Sequence, residues 1–187
     1  IPAGGEPRFL PDGLPVSDDE FEVVGVTHHE LDVTDSELVQ RIVHQIRPDV
    51  VVHLAAYTAV DRAESESSIA AAVNDVATGT LSDACADVGA HFIFVSTDYV
   101  FDGQKGSAYH EDDATNPLSV YGRTKRDGER RCRPSDTVVR TSWVMGVHGR
   151  NVLKVIAQRV AAGEPLRFVG DQTGTATFSA DLAVALV

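Results

Sequence analysis

The chain has 187 residues, which is enough for one domain with a substantial core. Its formal net charge of -12 argues against a surface that binds nucleic acid or an anionic membrane, because phosphates would be repelled across the whole molecule. Its two cysteines, Cys85 and Cys132, stand in no metal-ligand spacing, and no apolar run is long enough to span a bilayer. Together with the lack of a signal sequence, these features predict a cytoplasmic protein without a metal site.

The N-terminal part of the chain predicts a loop, a strand and a helix. Residues 1–20 have the proline and glycine content of a loop, and the β-branched run at 21–26 predicts a short strand. A helix is predicted to follow Thr34, a plausible N-cap with Glu37 three residues later, as in a capping box. Pro48 ends that helix.

The middle of the chain predicts alternating strands and helices. Two continuous apolar runs, 49–56 and 91–96, are typical of strands that are buried on both faces. A helix is predicted between them at 69–88, with Gly89 after its end. The later segments predict in turn a loop, a helix, a strand and a helix, at 98–117, 120–131, 137–140 and 152–162.

This alternation predicts an α/β fold with a doubly wound parallel sheet, because right-handed crossovers place helices against such a sheet. Ligands of these folds bind beyond the carboxyl ends of the strands. The residues expected there are Asp32, 55–58, 96–98 and 141–143.

Tyr121 and Lys125 form a Tyr-x-x-x-Lys spacing on a predicted helix. Residues four apart share a helix face, and a nearby ammonium lowers the pKa of a phenol. Such pairs also arise by chance on surface helices, so the spacing alone is a weak signal. A hydroxyl in the Ser96-Thr97-Asp98 run supplies a third member at a strand end; the alternative is a simple turn with side chain to backbone bonds.

Five segments in this order resemble the dTDP-4-dehydrorhamnose reductase family of extended short-chain dehydrogenase/reductases. They cover residues 53–66, 95–103, 116–125, 140–144 and 171–174. The resemblance runs from about Leu31 to the end of the chain. It implies a Rossmann-like fold and a reductase that makes dTDP-L-rhamnose.

The resemblance implies a role for each candidate residue. Tyr121 would donate a proton to the C4 oxygen of the sugar while hydride arrives from NADPH or NADH, and Lys125 would hold the nicotinamide ribose. Thr97 would hydrogen-bond near the reacting carbonyl, and with Asp98 and Trp143 it would contact the nucleotide sugar. The residues implied to bind the cofactor are Asp32, Val33, Ala56, Tyr57, Thr58, Val95, Tyr121 and Lys125.

The resemblance also implies a domain organisation. Residues 1–145 would form the NAD(P)-binding Rossmann-like domain, and 146–187 would begin a substrate-binding region. The glycine-rich phosphate loop that opens this family is not evident, because Glu-Pro at 6–7 follows the Ala-Gly-Gly at 3–5. We therefore expect a chain that lacks part of its N-terminus, with a diverged loop as the alternative. His53 stands where the family usually has Asn.

Two other functions stay open on the sequence. One is a non-catalytic, NADP-binding regulatory subunit like that of methionine adenosyltransferase. This alternative stays open because the glycine-rich phosphate loop is not evident in the sequence. The other is an epimerase or dehydratase of the same superfamily, although Asp98-Tyr99 after Thr97 favours a reductase over a dehydratase, which has Asp-Glu there. The expected partner is a nucleotide-sugar substrate, with no nucleic acid or membrane, and a homodimer is an open option.

Overall fold

A computed structural model describes residues 22–149, 151–168 and 170–186 of the chain. The chain divides into two compact units. The first unit is Val26–Thr141. The second unit consists of the described residues from Ser142 onward, together with residues 22–25.

Helix α1 is Ser36–Ile46. It begins one residue later than a helix capped by Thr34 would. Asp35 is the N-cap, and its carboxylate accepts a hydrogen bond from the Leu38 backbone N–H at 2.9 Å. The prediction of Thr34 as N-cap is wrong, because the Thr34 hydroxyl is bonded instead to the carboxylate of Asp32 at 2.7 Å.

The first unit contains a parallel sheet of three strands in the order β1 (Val50–His53), β2 (His91–Thr97) and β3 (Thr137–Thr141). Both neighbouring pairs are parallel, which confirms the predicted parallel sheet. The central strand β2 is largely buried, as expected. The expectation that β1 is buried on both faces is wrong, because Val50 and Val52 are 49% and 38% exposed and the covered face holds only the alternate residues.

The predicted strand at 21–26 is also wrong. Residues 22–26 have no regular secondary structure and their side chains are exposed, and among the described residues no strand pairs with them. Residue 21 and the loop at 1–20, including the possible glycine-loop remnant at 3–5, lie outside the described residues.

The chain between β1 and β2 is helical but interrupted. Helix α2 (Val60–Ala63) was not predicted, and the predicted helix at 69–88 is confirmed as α3 (Ser67–Ala71) and α4 (Ala77–Val88) joined by a π-helical turn at Ala72–Val76. Gly89 ends α4 with a φ of 78°, in the left-handed region that glycine adopts freely.

Helix α5 (Val120–Glu129) precedes β3 and is capped by the hydroxyl of Ser119, which accepts the Gly122 N–H at 3.1 Å. Before it, the chain makes a 3-10 turn at Asp98–Val100. The core of this unit lies between the helices and one face of the sheet, and its buried members are Val39, Val43, Leu81, Ala84, Cys85, Ala90, Phe92 and Phe94.

Helix α5 packs closely on the π-helical turn. A Cβ atom at Gly128 would overlap the backbone oxygen of Asn74, and would lie 3.2 Å from both Phe94 Cζ and Thr78 Oγ1. Glycine at 128 therefore lets two backbones meet at a distance that any side chain would prevent.

The second unit contains the short parallel strands β4 (Val144–Met145) and β5 (Thr177–Phe178). It also holds α6 (Val152–Ala161), close to the predicted helix, and α7 (Ser179–Ala185). Within the part of the chain that the structure describes, no helix is long and apolar enough to cross a membrane.

Candidate functional site

Lys125 lies one turn after Tyr121 on α5, and its side chain is almost completely buried. The ammonium donates a hydrogen bond to the backbone oxygen of Val95 at 2.7 Å and lies 3.9 Å from the centre of the Phe94 ring. Burial lowers the pKa of Lys125 to about 8, and the negative charge of Glu129 opposes this change. The amine is therefore poised to titrate near neutral pH.

Thr97 is the last residue of β2 and is buried. Its hydroxyl accepts the Tyr99 N–H at 3.2 Å and lies 3.2 Å from a carboxylate oxygen of Asp98, to which it donates. Burial raises the pKa of Asp98, while the bond from Thr97 lowers it. The strand thus ends in a compact polar turn that begins with the predicted hydroxyl.

The Tyr121 phenol lies beside this turn. Its ring meets the Tyr99 ring edge-on, with 5.6 Å between the ring centres. Burial raises the pKa of Tyr121, and a hydrogen-bonding contact with the Thr97 side chain opposes the rise. The phenol therefore keeps its proton at neutral pH. The expectation that Lys125 lowers the pKa of Tyr121 is wrong for the described structure, because burial is the largest influence on the phenol and raises its pKa. The fold places the predicted Thr97 beside the Tyr121 phenol, with Lys125 one helical turn further along α5.

Asn74, in the π-helical turn, connects this group to the loop after β1. Its side-chain oxygen accepts the Tyr57 N–H at 2.8 Å, and its amide nitrogen donates to the Tyr57 carbonyl at 3.1 Å. The same nitrogen lies 3.0 Å from the hydroxyl of Thr124, which donates to the Tyr121 carbonyl at 2.9 Å. The predicted cofactor loop, residues 56–58, is therefore tied to the helix that carries Tyr121.

The start of the same helix is held from α2. The carboxylate of Glu64 accepts the backbone N–H of Val120 at 2.8 Å. Because the first N–H groups of a helix have no partner within it, this bond satisfies a group next to Tyr121. The phenol of Tyr57 is bonded to Glu66, which holds the ring in place near the loop.

Asp32 and Val33 have local contacts. Asp32 accepts bonds from the hydroxyl and the N–H of Thr34, which lower the pKa of its carboxyl. Val33 packs against the core of the first unit. Their roles beside the adenine stay predictions.

Trp143 belongs to the second unit, whereas Tyr121 belongs to the first. It has a φ of 43°, unusual for a residue with a side chain, and is 45% exposed. Its indole lies next to Gly174, where an added Cβ would be 3.4 Å from the ring. Its predicted contact with the nucleotide sugar stays a prediction.

Sequence reasoning missed Asn74, Glu64 and Glu129. Glu129 accepts a hydrogen bond from Ser96 at 2.5 Å and forms a two-pronged ion pair with Arg140. Two signals were available in the sequence. One is an asparagine within an alanine-rich helix, because asparagine is a poor residue for a helix interior. The other is the position of Glu129 four residues after Lys125 on a predicted helix, which places both on one face. Within the described residues, no group of three or more His, Cys, Asp or Glu side chains could hold a metal ion.

A parallel α/β unit with a Tyr-x-x-x-Lys helix beside a hydroxyl at a strand end defines a short-chain dehydrogenase/reductase site. Residues 15–187 match the family model described as the RmlD substrate binding domain. The chain belongs to this family, that of dTDP-4-dehydrorhamnose reductase.

The similar proteins include reductases of more than one nucleotide sugar. The dTDP-4-dehydrorhamnose reductase of Aggregatibacter actinomycetemcomitans is 38% identical over 99% of this chain and 64% of its own length. A probable dTDP-4,6-dihydroxy-2-methyloxan-3-one 4-ketoreductase of Streptomyces antibioticus is 39% identical over 92% of this chain and 60% of its own.

The structural comparison shows the same Rossmann-like fold. The crystal structure of dTDP-4-dehydrorhamnose reductase from Bacillus anthracis in complex with NADP superposes with a TM-score of 0.87 and 34% identity. The match covers 91% of this chain and 62% of that one. The chain thus spans about three fifths of the length of these relatives.

Proposed function

We propose that the protein containing this chain reduces the 4-keto group of a dTDP-4-keto-6-deoxyhexose with NADPH or NADH. The observation that carries the proposal is the position of three side chains at the carboxyl end of β2. Thr97 ends the strand, Tyr121 lies beside Thr97, and Lys125 is bonded to the backbone of Val95 in the same strand. Family membership and the NADP named for the Bacillus anthracis structure support it.

The described residues fit the nicotinamide side of a dinucleotide. Lys125 carries a buried ammonium with three N–H bonds, and its bond to Val95 engages only one of them, so donors are available for ribose hydroxyls. The loop at 56–58, which follows β1, is hydrogen-bonded to Asn74 through both backbone groups of Tyr57. The Ala-Gly-Gly at 3–5, the candidate remnant of a phosphate loop, lies outside the described part of the chain.

The chain's own residues handle the proton in this reaction. When bound, the reduced nicotinamide supplies hydride to C4 of the sugar. The Tyr121 hydroxyl gives its proton to the carbonyl oxygen as that oxygen becomes negative, so the ketone becomes an alcohol and the phenol a phenolate. The Lys125 ammonium stabilises the phenolate. The Thr97 hydroxyl, which donates its single hydrogen to Asp98 in the structure, would turn that hydrogen to the carbonyl oxygen of the bound substrate.

The protonation states suit this division of labour. Burial keeps the pKa of Tyr121 above its ordinary value, so the phenol holds a proton to donate at neutral pH. Lys125, with a pKa of about 8, is mostly charged below that pH and neutral above it. We therefore expect reduction to weaken as the pH rises through about 8.

The finer proposal is that the substrate is dTDP-4-dehydrorhamnose and the product dTDP-L-rhamnose. The Aggregatibacter relative carries this name, whereas the Streptomyces antibioticus relative is named for another 4-ketoreduction. Asp98 and Trp143 are the residues that we propose to contact the nucleotide sugar.

The test is consumption of NADPH with dTDP-4-keto-6-deoxy-L-mannose, measured on the longest natural chain that contains these residues. The Tyr121→Phe variant should lose roughly 10²- to 10⁴-fold in turnover, because it keeps the ring but has no proton to give. Tyr109→Phe is the matched control, since the Tyr109 hydroxyl is bonded to Asp102 in a separate loop. It should retain wild-type turnover.

Different outcomes would separate the alternatives. Turnover of another dTDP-4-keto sugar alone would keep the reductase and change its substrate. Tight NADPH binding without consumption of any such sugar would contradict the reductase and favour a regulatory NADP-binding subunit. Equal turnover in Tyr121→Phe and wild type would remove Tyr121 as the proton donor.

A further inference from the structure

A partly buried ion pair lies at the end of the helix that carries Tyr121 and Lys125. The Glu129 carboxylate, only 9% exposed, accepts two hydrogen bonds from the Arg140 guanidinium, at 3.0 and 2.7 Å. Its Oε1 atom also accepts the Ser96 hydroxyl at 2.5 Å. One carboxylate thus joins three elements: the last turn of α5, the end of β2 and strand β3.

The position of this carboxylate matters because of its two neighbours. Glu129 lies four residues after Lys125 on α5, on the same face, and its charge acts on the ammonium. Ser96 directly precedes Thr97, so the bond from Ser96 fixes the strand end that presents the Thr97 hydroxyl.

The other charged or titratable groups around Lys125 are few. Cys132 lies on the same side of the helix end, and His53 lies across the Phe94 ring, which it stacks at 5.6 Å. Burial raises the pKa of Cys132 to about 12 and lowers the pKa of His53 to about 3, so both are neutral near pH 7. Glu129 is therefore the principal charge that acts on the Lys125 ammonium.

We propose that Glu129, held by Arg140 and Ser96, is a positioning residue that keeps Lys125 in its charged form and fixes the strand end carrying Thr97. The catalytic part of this inference rests on the proposed reductase function. The electrostatic part concerns only residues of this chain and can be measured without turnover.

The direct measurement is the titration of the lysine side chains by NMR after selective ¹³C labelling. The chain has three lysines, Lys105, Lys125 and Lys154, so a Lys125→Met sample assigns the signal. Glu129→Gln should lower the titration midpoint of Lys125 by about one pH unit or more, because an opposite charge is removed. At about pH 7.5 this would reduce the charged fraction, and with it turnover, about threefold.

A double variant separates charge from structure. Glu129→Gln alone leaves Arg140 without its partner and destabilises the fold, whereas Glu129→Gln with Arg140→Gln restores a neutral, hydrogen-bonding pair. If the pair is merely structural, the double variant regains both thermal stability and the wild-type pH profile. We expect it to regain stability while Lys125 still titrates below the wild-type midpoint.

The chain offers a matched control. Asp136 forms a second serine–carboxylate–arginine group, with Ser82 at 2.6 Å and Arg133 at 2.7 Å, and its side chain is more buried than that of Glu129. Asp136→Asn should lower stability and leave the Lys125 midpoint unchanged. Unchanged midpoints in both Glu129 variants would overturn the proposal. A wild-type protein that consumes no NADPH would count against the reductase, and the NMR comparison would still decide the role of Glu129.

Discussion

His53 is the residue whose burial has the clearest effect on stability. Its ring stacks against the rings of Phe92 and Phe94, and its Nε2 atom has no hydrogen-bond partner in the described part of the chain. Burial, together with the charge of Lys125, lowers the pKa of His53 from 6.5 to about 3. The folded protein thus holds a neutral imidazole that the unfolded chain protonates below about pH 6.5.

We therefore expect acid to destabilise the protein through His53. Above pH 6.5 the neutral His53 has no effect on how the free energy of unfolding depends on pH. As the pH falls from 6.5 toward about 3, the free energy of unfolding decreases by about 1.4 kcal/mol per pH unit, because only the unfolded chain takes up the proton. The His53→Asn variant, which cannot titrate, should lose about 2 kcal/mol less than wild type between about pH 7.5 and 5. Urea unfolding at the two pH values measures this difference.

The control for this prediction is a histidine on the surface. His148 is exposed, and His148→Asn should keep the wild-type dependence of stability on pH. The same dependence in wild type and His53→Asn would show that His53 is protonated in the folded protein.

At the scale of elements, the contact between α5 and the π-helical turn depends on a missing side chain. Gly128→Ala places a methyl group against the Asn74 carbonyl and the Phe94 ring, so the helix must move away. We expect a loss of about 1–3 kcal/mol in the free energy of unfolding, although alanine favours helix by about 1 kcal/mol. Denaturant titration measures the change.

Gly79→Ala on α4 is the matched substitution. There the new methyl group meets only the flexible side chain of Arg131, which can swing aside. This variant should be neutral or slightly more stable, because alanine is the better helix former. Equal effects at 79 and 128 would mean that helix propensity, and not the close approach, governs both sites.

These contacts show which elements the sequence could predict. The strand at His91–Thr97 and the helix at Val120–Glu129 follow from local apolar runs and capping residues. The run at 50–52 has the same composition as a strand covered on both faces, but coverage depends on neighbours that lie elsewhere in the chain. Residues 22–26 of the run predicted as a strand do not form one, because a strand needs a partner, which local sequence does not specify.

In the candidate site, too, features set by local sequence could be predicted and features set by distant residues could not. Tyr121, Lys125 and Thr97 could be predicted because their spacing and order are visible in the sequence. The contacts of Asn74 and Glu129 could not be predicted, because their partners Thr124 and Ser96 are 50 and 33 residues away and only the fold brings them together.

For the whole molecule, net charge is the dominant property. With 28 acidic and 16 basic side chains, the folded chain concentrates negative charge that repels itself. We expect the melting temperature to rise by a few degrees between about 20 and 200 mM NaCl, because salt screens this repulsion. Calorimetry at constant pH measures the rise.

Salt also screens attractive ion pairs, and we expect this opposing effect on the melting temperature to be small. Exposed pairs such as Arg62–Glu66 lose little when screened, and the partly buried pairs Arg140–Glu129 and Arg133–Asp136 are screened less. KCl should give the same rise as NaCl, since the effect is one of ionic strength. A melting temperature that falls with salt would show that attractive pairs outweigh the net repulsion.

The hydrogen bonds of Asn74 have a consequence for the order of folding. They join Tyr57, Asn74 and Thr124, so the links span 17 and 50 positions of the chain. Contacts between residues so far apart form only after the intervening segments have been brought together, at a cost in chain entropy. The group of Thr97, Tyr121 and Lys125 lies on a strand and a helix that these long-range bonds hold in place. We therefore expect this group to assemble late in folding, together with the sheet.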